Sequence, residues 1–131
     1  MNKIVLDLNY MKQFTQNKYI DGERKNRFIG SKMKKSATKY VREVVTQSMQ
    51  DGIKFDWPVK LAFDWYLPDK RIDMDNWSFL KKFIFDGMQT AKVRQDVFLD
   101  NDNFANMRKG YTETFEIDRN NPRLEIYEVE S

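Results

Sequence analysis

The chain contains neither cysteine nor histidine. Without cysteine there is no disulfide and no thiolate-bound metal, and nothing in the sequence reports the redox compartment. Without histidine a Ser-His-Asp triad, a Cys-His pair and an imidazole-bound zinc are excluded as well. Any catalysis must then rest mainly on Asp, Glu, Lys or Tyr, and any metal must be a hard ion held by oxygen. Proline and glycine are scarce, at three and five residues, and no internal repeat, linker or low-complexity tract interrupts the chain. One domain over residues 1–131 is the simplest organisation. The opening MNKIVLDLNYMKQ lacks the apolar run of a signal peptide, and no later stretch approaches a membrane span. The sequence therefore predicts a cytoplasmic protein.

What is present is enough for a folded core. The chain has 131 residues, of which 40% are hydrophobic and 15% aromatic. The net charge is only +3, yet it is unevenly spread. Residues 18–42 hold nine basic side chains against Asp21 and Glu23, a net of +7, which leaves −4 for the remainder. A basic segment on an otherwise acidic chain suits a polyanionic partner, although a lysine-rich helix face exposed only to water has the same composition.

Periodicity divides the chain into six main elements. Residues 3–9 place Ile4, Leu6 and Leu8 on one face of a strand. Residues 17–31 mix turn signals with cations and predict a loop or ragged hairpin. After Ser31, the residues Ala37, Tyr40, Val41, Val44 and Ser48 recur at helical spacing, and Gly52 closes that helix. The segment WPVKLAFDWYLP alternates, with Val59, Leu61, Phe63, Trp65 and Leu67 on one side and Lys60, Ala62, Asp64 and Tyr66 on the other. A second helix follows over NWSFLKKFIFDGMQTA, its apolar stripe being Trp77, Leu80, Phe83, Ile84, Gly87 and Met88, with Asp75 or Asn76 at its cap. After an acidic loop, GYTETFEI and RLEIYEV flank DRNNP and predict a β-hairpin. The order β-α-β-α-β-β predicts an α+β fold, a two-layer sandwich with helices packed on one small mixed sheet. Most of the tryptophans and of Phe79, Phe83 and Phe85 fall on these apolar stripes and belong to the core. Tyr19 and Phe28 instead interleave with cations and are candidate wedges against nucleic-acid bases.

The chemistry concentrates in DKRIDMDNWSFLKKFIFDGM and VFLDNDNF. Asp73 and Asp75 stand two residues apart just past a strand, and extended backbone would turn both carboxylates to one side. Asp100 and Asp102 repeat that spacing in a loop. Four carboxylates with no imidazole or thiolate make a donor set for Mg²⁺ or Mn²⁺. Such an ion offsets the charge of a scissile phosphate and can activate a water, and Lys81 or Lys82 is placed to support the transition state. Asp-x-Asp alone is most often a solvated or capping pair; the ordered set of strand, Asp-x-Asp-Asn, amphipathic helix and second acidic cluster is more specific.

In that order the chain resembles the RusA family of Holliday-junction resolvases. The features are LAFDWYLPDKRIDMDN, then Lys82 and Asp86 in KFIFDGM, then LDNDNF, then RLEIYEV, together spanning about residues 55–130. The earlier part is similar only in having a basic loop and a helix ahead of the strand. The resemblance implies a homodimeric, phage- or prophage-encoded endonuclease that cuts four-way junctions using Mg²⁺, or Mn²⁺ in its place. By it Asp73 and Asp75 are the first two metal-binding acids, Lys82 is the helix lysine, and the third acid comes from the following loop. Two departures stand out. The lysine lies further from Asp-x-Asp-Asn than the family pattern has it, and Asn101 stands where the register through Phe104 calls for a catalytic aspartate. The third acid is then Asp102 if the register slides, with Asp100 the alternative. Arg24, Lys25, Arg27, Lys34, Lys35, Lys70, Arg71 and Asn76 are the candidate DNA contacts.

Overall fold

A computed structural model describes residues 2–100, 106–107 and 110–129. The first strand, β1 (Lys3–Asp7), buries Ile4 and Leu6 and is shorter than the alternation implies. Asp7 ends it by capping a single turn, α1 (Leu8–Met11), with its Oδ1 accepting the Asn9 N–H at 2.8 Å. Leu8 stays buried, but as a helical residue. A short 3₁₀ turn (Lys12–Phe14) leads into α2 (Gln16–Lys25), and α3 (Arg27–Gln50) follows after one extended residue, Asn26.

The expected loop over 17–31 is therefore a correction: this stretch forms α2 and the first turn of α3. Its two glycines act as contact points rather than helix breakers. A Cβ on Gly22 would meet Met33 Sδ at 2.5 Å, and one on Gly30 would meet Glu23 Cγ at 2.6 Å. The two helices can approach this closely only where side chains are missing. Asn26 separates them and caps α3, its Oδ1 accepting the Ile29 N–H at 3.0 Å. At the other end Gly52, with φ of 91°, stops α3 as anticipated. The Ile53 N–H reaches back to the Ser48 carbonyl at 2.9 Å, the reach of a Schellman closure.

The central strand, β2 (Lys60–Leu67), keeps its predicted alternation, with Leu61, Phe63, Trp65 and Leu67 all buried against the helices. The second helix is split into α4 (Met74–Ser78) and α5 (Lys81–Thr90). At the joint the Leu80 N–H turns to the Trp77 carbonyl and the Phe83 N–H to the Leu80 carbonyl, bonds of the tighter three-residue kind. The whole predicted stripe, from Trp77 to Met88, is buried. A small ribbon, β3 (Lys92–Val93) and β4 (Asp96–Val97), precedes the acidic loop.

The last two strands, β5 (Tyr111–Ile117) and β6 (Arg123–Val129), are not the predicted hairpin. The sheet order is β1-β6-β2-β5: β6 lies antiparallel between β1 and β2, whereas β5 runs parallel to β2 at the edge. Composition explains the exchange. β6 buries Leu124 and Ile126 and gains two neighbours in the centre, while the polar β5 tolerates an edge, where Tyr111 and Ile117 remain exposed. The connection over 118–122 steps across β2, a span of about 10 Å at the usual strand spacing.

The result is an α+β fold with a mixed four-stranded sheet, α3 and α5 packed together, and the apolar core between helices and sheet. The uncovered sheet face is polar. Lys3 and Arg123 both bond Glu125, Arg123 also reaches Asp118 and lies over the Tyr66 ring at 4.0 Å, and Tyr127 donates to Asp64. Among the described residues no helix is long and apolar enough to cross a membrane.

Candidate functional site

The carboxyl ends of the one parallel strand pair, β2 and β5, mark the place where the acidic segment leaves the sheet. Leu67 and Ile117 are in register there, and the Asp118 N–H closes onto the Leu67 carbonyl at 2.8 Å. A cavity of about 330 Å³ opens beside them, lined by Asp69, Lys70, Asp73 and Glu116 together with apolar Ile72 and Phe115. Asp69 also organises its own turn, its Oδ1 accepting the Arg71 N–H at 2.9 Å, with the exposed Arg71 guanidinium 4.0 Å away.

Asp73 and Asp75 are both exposed, and only Asp73 keeps the extended backbone that the sequence suggested for the pair. Asp73 is the N-cap residue of α4 and Asp75 lies in its first turn. The same-face rule for residues two apart needs extended backbone throughout, and the helix starts at Met74 between them, so the reason given for convergence fails. Asp73 lines the cavity and Asp75 does not. The Asp73 side chain caps nothing, so it is not spent on the helix. Asn76 is engaged: its Oδ1 accepts the Asn17 N–H at 2.9 Å and ties α4 to the start of α2.

The donor chemistry of these carboxylates suits a hard divalent ion. Among the described residues no three acids lie close enough to hold a metal ion together, so Asp73, Asp75 and Asp100 do not form a ligand trio. Asp100 is exposed at the end of the described part of its loop. Asp102, Asn101 and Phe104 lie outside the described residues.

The two lysines on α5 have different surroundings. Lys82 is exposed and forms no ion pair among the described residues. Lys81 is turned inward: it donates to Ser78 Oγ and to Glu113 Oε1, the latter at 2.6 Å, and lies 4.8 Å from the Tyr111 ring centroid. Glu113 also accepts from Ser78 Oγ at 2.9 Å and from Trp65 Nε1 at 2.8 Å. These four residues clamp α4, α5, β2 and β5 together beneath the acidic segment. Sequence reasoning missed Glu113, although a signal was available. In GYTETFEI it shares a face with Tyr111, Phe115 and Ile117, and an acid on an apolar face needs a partner. Asp69 and Glu116 were missed too, because each reads as an ordinary turn or edge residue.

The candidate DNA contacts fall in two regions. Arg24, Lys25 and Arg27 are exposed where α2 meets α3, and Lys34 and Lys35 are exposed along α3. Lys70 and Arg71 flank Asp73 in the cavity turn. Phe28 is 79% exposed beside the first group, whereas Tyr19 is buried against Phe79 and Phe83 and is a core residue rather than a wedge. No protein-family model matches the chain, and neither a curated protein nor a solved structure matches it significantly.

Proposed function

We propose that this chain is a metal-dependent endonuclease of the RusA type, acting on Holliday junctions or other branched DNA as a homodimer in the bacterial cytoplasm. The observation that carries this is the join made by Asn76: one residue of the Asp-x-Asp-Asn segment holds the first turn of α2, so the acidic segment abuts the start of the basic helices. A nuclease needs that adjacency, because the cations must seat a phosphate backbone where the acids can act on it.

Asp73 and Asp75 are the two acids assigned to the ion, with Asp102 the third and Asp100 its alternative. When bound, Mg²⁺ or Mn²⁺ supplies charge neutralisation at the phosphate and an acidified water. The chain's own contribution is binding and placement. Lys70 beside Asp73 meets the phosphate, the exposed cations of α2 and α3 hold the flanking backbone, and Lys82 remains free to reach the cut strand. Lys81, committed to Glu113, holds α5 in position instead. Two-fold pairing of subunits matches the paired cuts that a two-fold junction requires.

A second reading, junction binding without cleavage, is favoured by Asn101, an uncharged amide where the family register calls for a catalytic aspartate. One assay separates the two. A synthetic four-way junction is incubated with Mg²⁺, with Mn²⁺ or with chelator, beside a linear duplex of the same sequence. Paired metal-dependent nicks confined to the junction support the nuclease, and Asp75→Asn should then abolish cutting while junction binding persists. Binding with no cuts under any metal supports the second reading and removes the enzyme.

A further inference from the structure

Another concavity, which shares no lining residue with the cavity at the acidic segment, lies between α3 and α5. It encloses about 710 Å³. From α3 it receives Lys35, Thr38 and Arg42, three and four residues apart, and Lys34, four residues before Thr38, which together form a single stripe along the helix. The α5 wall supplies Gln89 and Thr90, with Asp86 as its one acid. A second hollow of about 270 Å³ shares Arg42 and Thr90 with the first and carries the trough on to Lys92.

No apolar side chain lines the main groove. This separates it from a membrane-lying helix, which needs an apolar face, and from a docking pocket for another protein, which needs an aromatic or aliphatic anchor. Cations interspersed with neutral hydroxyl and amide donors are what a phosphodiester backbone takes up. Lys34, Lys35 and Arg42 form no ion pair among the described residues, so their charge is available to a ligand. Thr38, which lines the groove, has an Oγ1 that is shut off from solvent and has no hydrogen-bond partner among the described residues. The stretch from residue 31 to residue 46 of α3 is about 22 Å long, or roughly six base-pair rises.

We propose that this groove is the main track for a DNA backbone, with α5 contributing Gln89 and Thr90 to it, and that the corner at Arg24, Lys25 and Arg27 is the lesser contact. The inference rests on the DNA-binding part of the proposed function and is independent of cleavage. Binding of a labelled duplex and a labelled four-way junction is measured by fluorescence anisotropy across a salt series, in chelator so that nothing is cut. The triple variant Lys34→Gln/Lys35→Gln/Arg42→Gln should flatten the plot of log affinity against log salt by about 2.7, from roughly 0.9 per cation. Gln89→Glu, which adds a charge from the opposite wall, should weaken binding by about tenfold with urea stability unchanged. The charge-matched Arg24→Gln/Lys25→Gln/Arg27→Gln should lose less affinity than the groove triple. Wild-type binding that survives both groove variants overturns the groove and leaves the proposed function standing. Absence of wild-type binding to either DNA overturns both.

Discussion

Lys81 on α5 and Glu113 on β5 form an ion pair at 2.6 Å, with only 12% and 20% of their side chains exposed. The pair joins the helix layer to the edge strand, whose backbone is otherwise held by its parallel ladder to β2. Its worth is unlike that of a surface pair, because removing one partner strands the other charge in a poorly hydrated place.

Glu113→Ala should therefore cost about 2–4 kcal/mol of unfolding free energy, and Glu113→Gln less, since the amide oxygen can still accept from Trp65 Nε1. Urea denaturation of both variants, with Lys81→Met as the third corner of a double-mutant cycle, checks this. If Glu113→Ala costs no more than about 0.5 kcal/mol, the pair is a surface pair in effect.

Gly87 makes a second contact of this kind. A Cβ there would sit 2.5 Å from Val41 Cγ1 and 3.1 Å from the Arg42 backbone nitrogen. Gly87→Ala should destabilise the chain by about 1–3 kcal/mol, since a β-branched side chain and backbone cannot yield cheaply. Gly22→Ala meets the flexible end of Met33 instead, and the gain in helix propensity of about 1 kcal/mol should largely offset the crowding. The order of the two melting temperatures is the test, and a Gly87 variant as stable as the Gly22 variant would contradict the packing described.

The polar sheet face makes stability depend on pH at both extremes. Hydrogen bonding from Lys3, with Arg123 adding to it, holds the Glu125 carboxyl below its ordinary 4.5 against the opposing effect of burial. A depressed acid stabilises the fold above its unfolded value and loses that contribution as pH falls through its folded value. The stability gap between wild type and Glu125→Gln should thus be full above about pH 4.5 and close on acidification. At the alkaline end, the hydrogen bond to Asp64 and burial push Tyr127 up to about 12 from an ordinary 10.0. Its contribution is present below pH 10 and disappears as pH rises towards 12. Phenolate absorbance should show Tyr127 among the late-titrating tyrosines, and Asp64→Asn should move its share of the change to lower pH.

Phe28, exposed at the start of α3 beside Arg27, has no packing role among the described residues to explain its place on the surface. Phe28→Ala should leave the melting temperature within about 2 °C and weaken junction binding several-fold more than linear-duplex binding, as loss of a wedge at unstacked bases would. Equal weakening on both DNAs would assign Phe28 to general contact only.

The sequence by itself determined the helices and strands whose cause is local. The apolar stripe from Trp77 to Met88, the alternation of β2 and the stop at Gly52 each follow from spacing or from one backbone preference, and the structure keeps all of them. The absence of cysteine and histidine likewise narrowed the chemistry before any coordinates. Tertiary structure alone decided the rest. Gly22 and Gly30 look like turn residues until α2 and α3 need to touch, and a missing side chain then becomes a contact. β5 and β6 look like a hairpin because they are neighbours in sequence, yet the more apolar β6 takes the centre and β5 the edge. Asp73 and Asp75 looked convergent on extended backbone, but a helix begins between them and the same-face rule no longer applies. Glu113 found Lys81 across 32 residues of chain, and the α3–α5 groove draws its walls from segments more than 40 residues apart. Spacing along a sequence reports which face a residue occupies, whereas which faces meet is set by burial of the whole apolar surface at once.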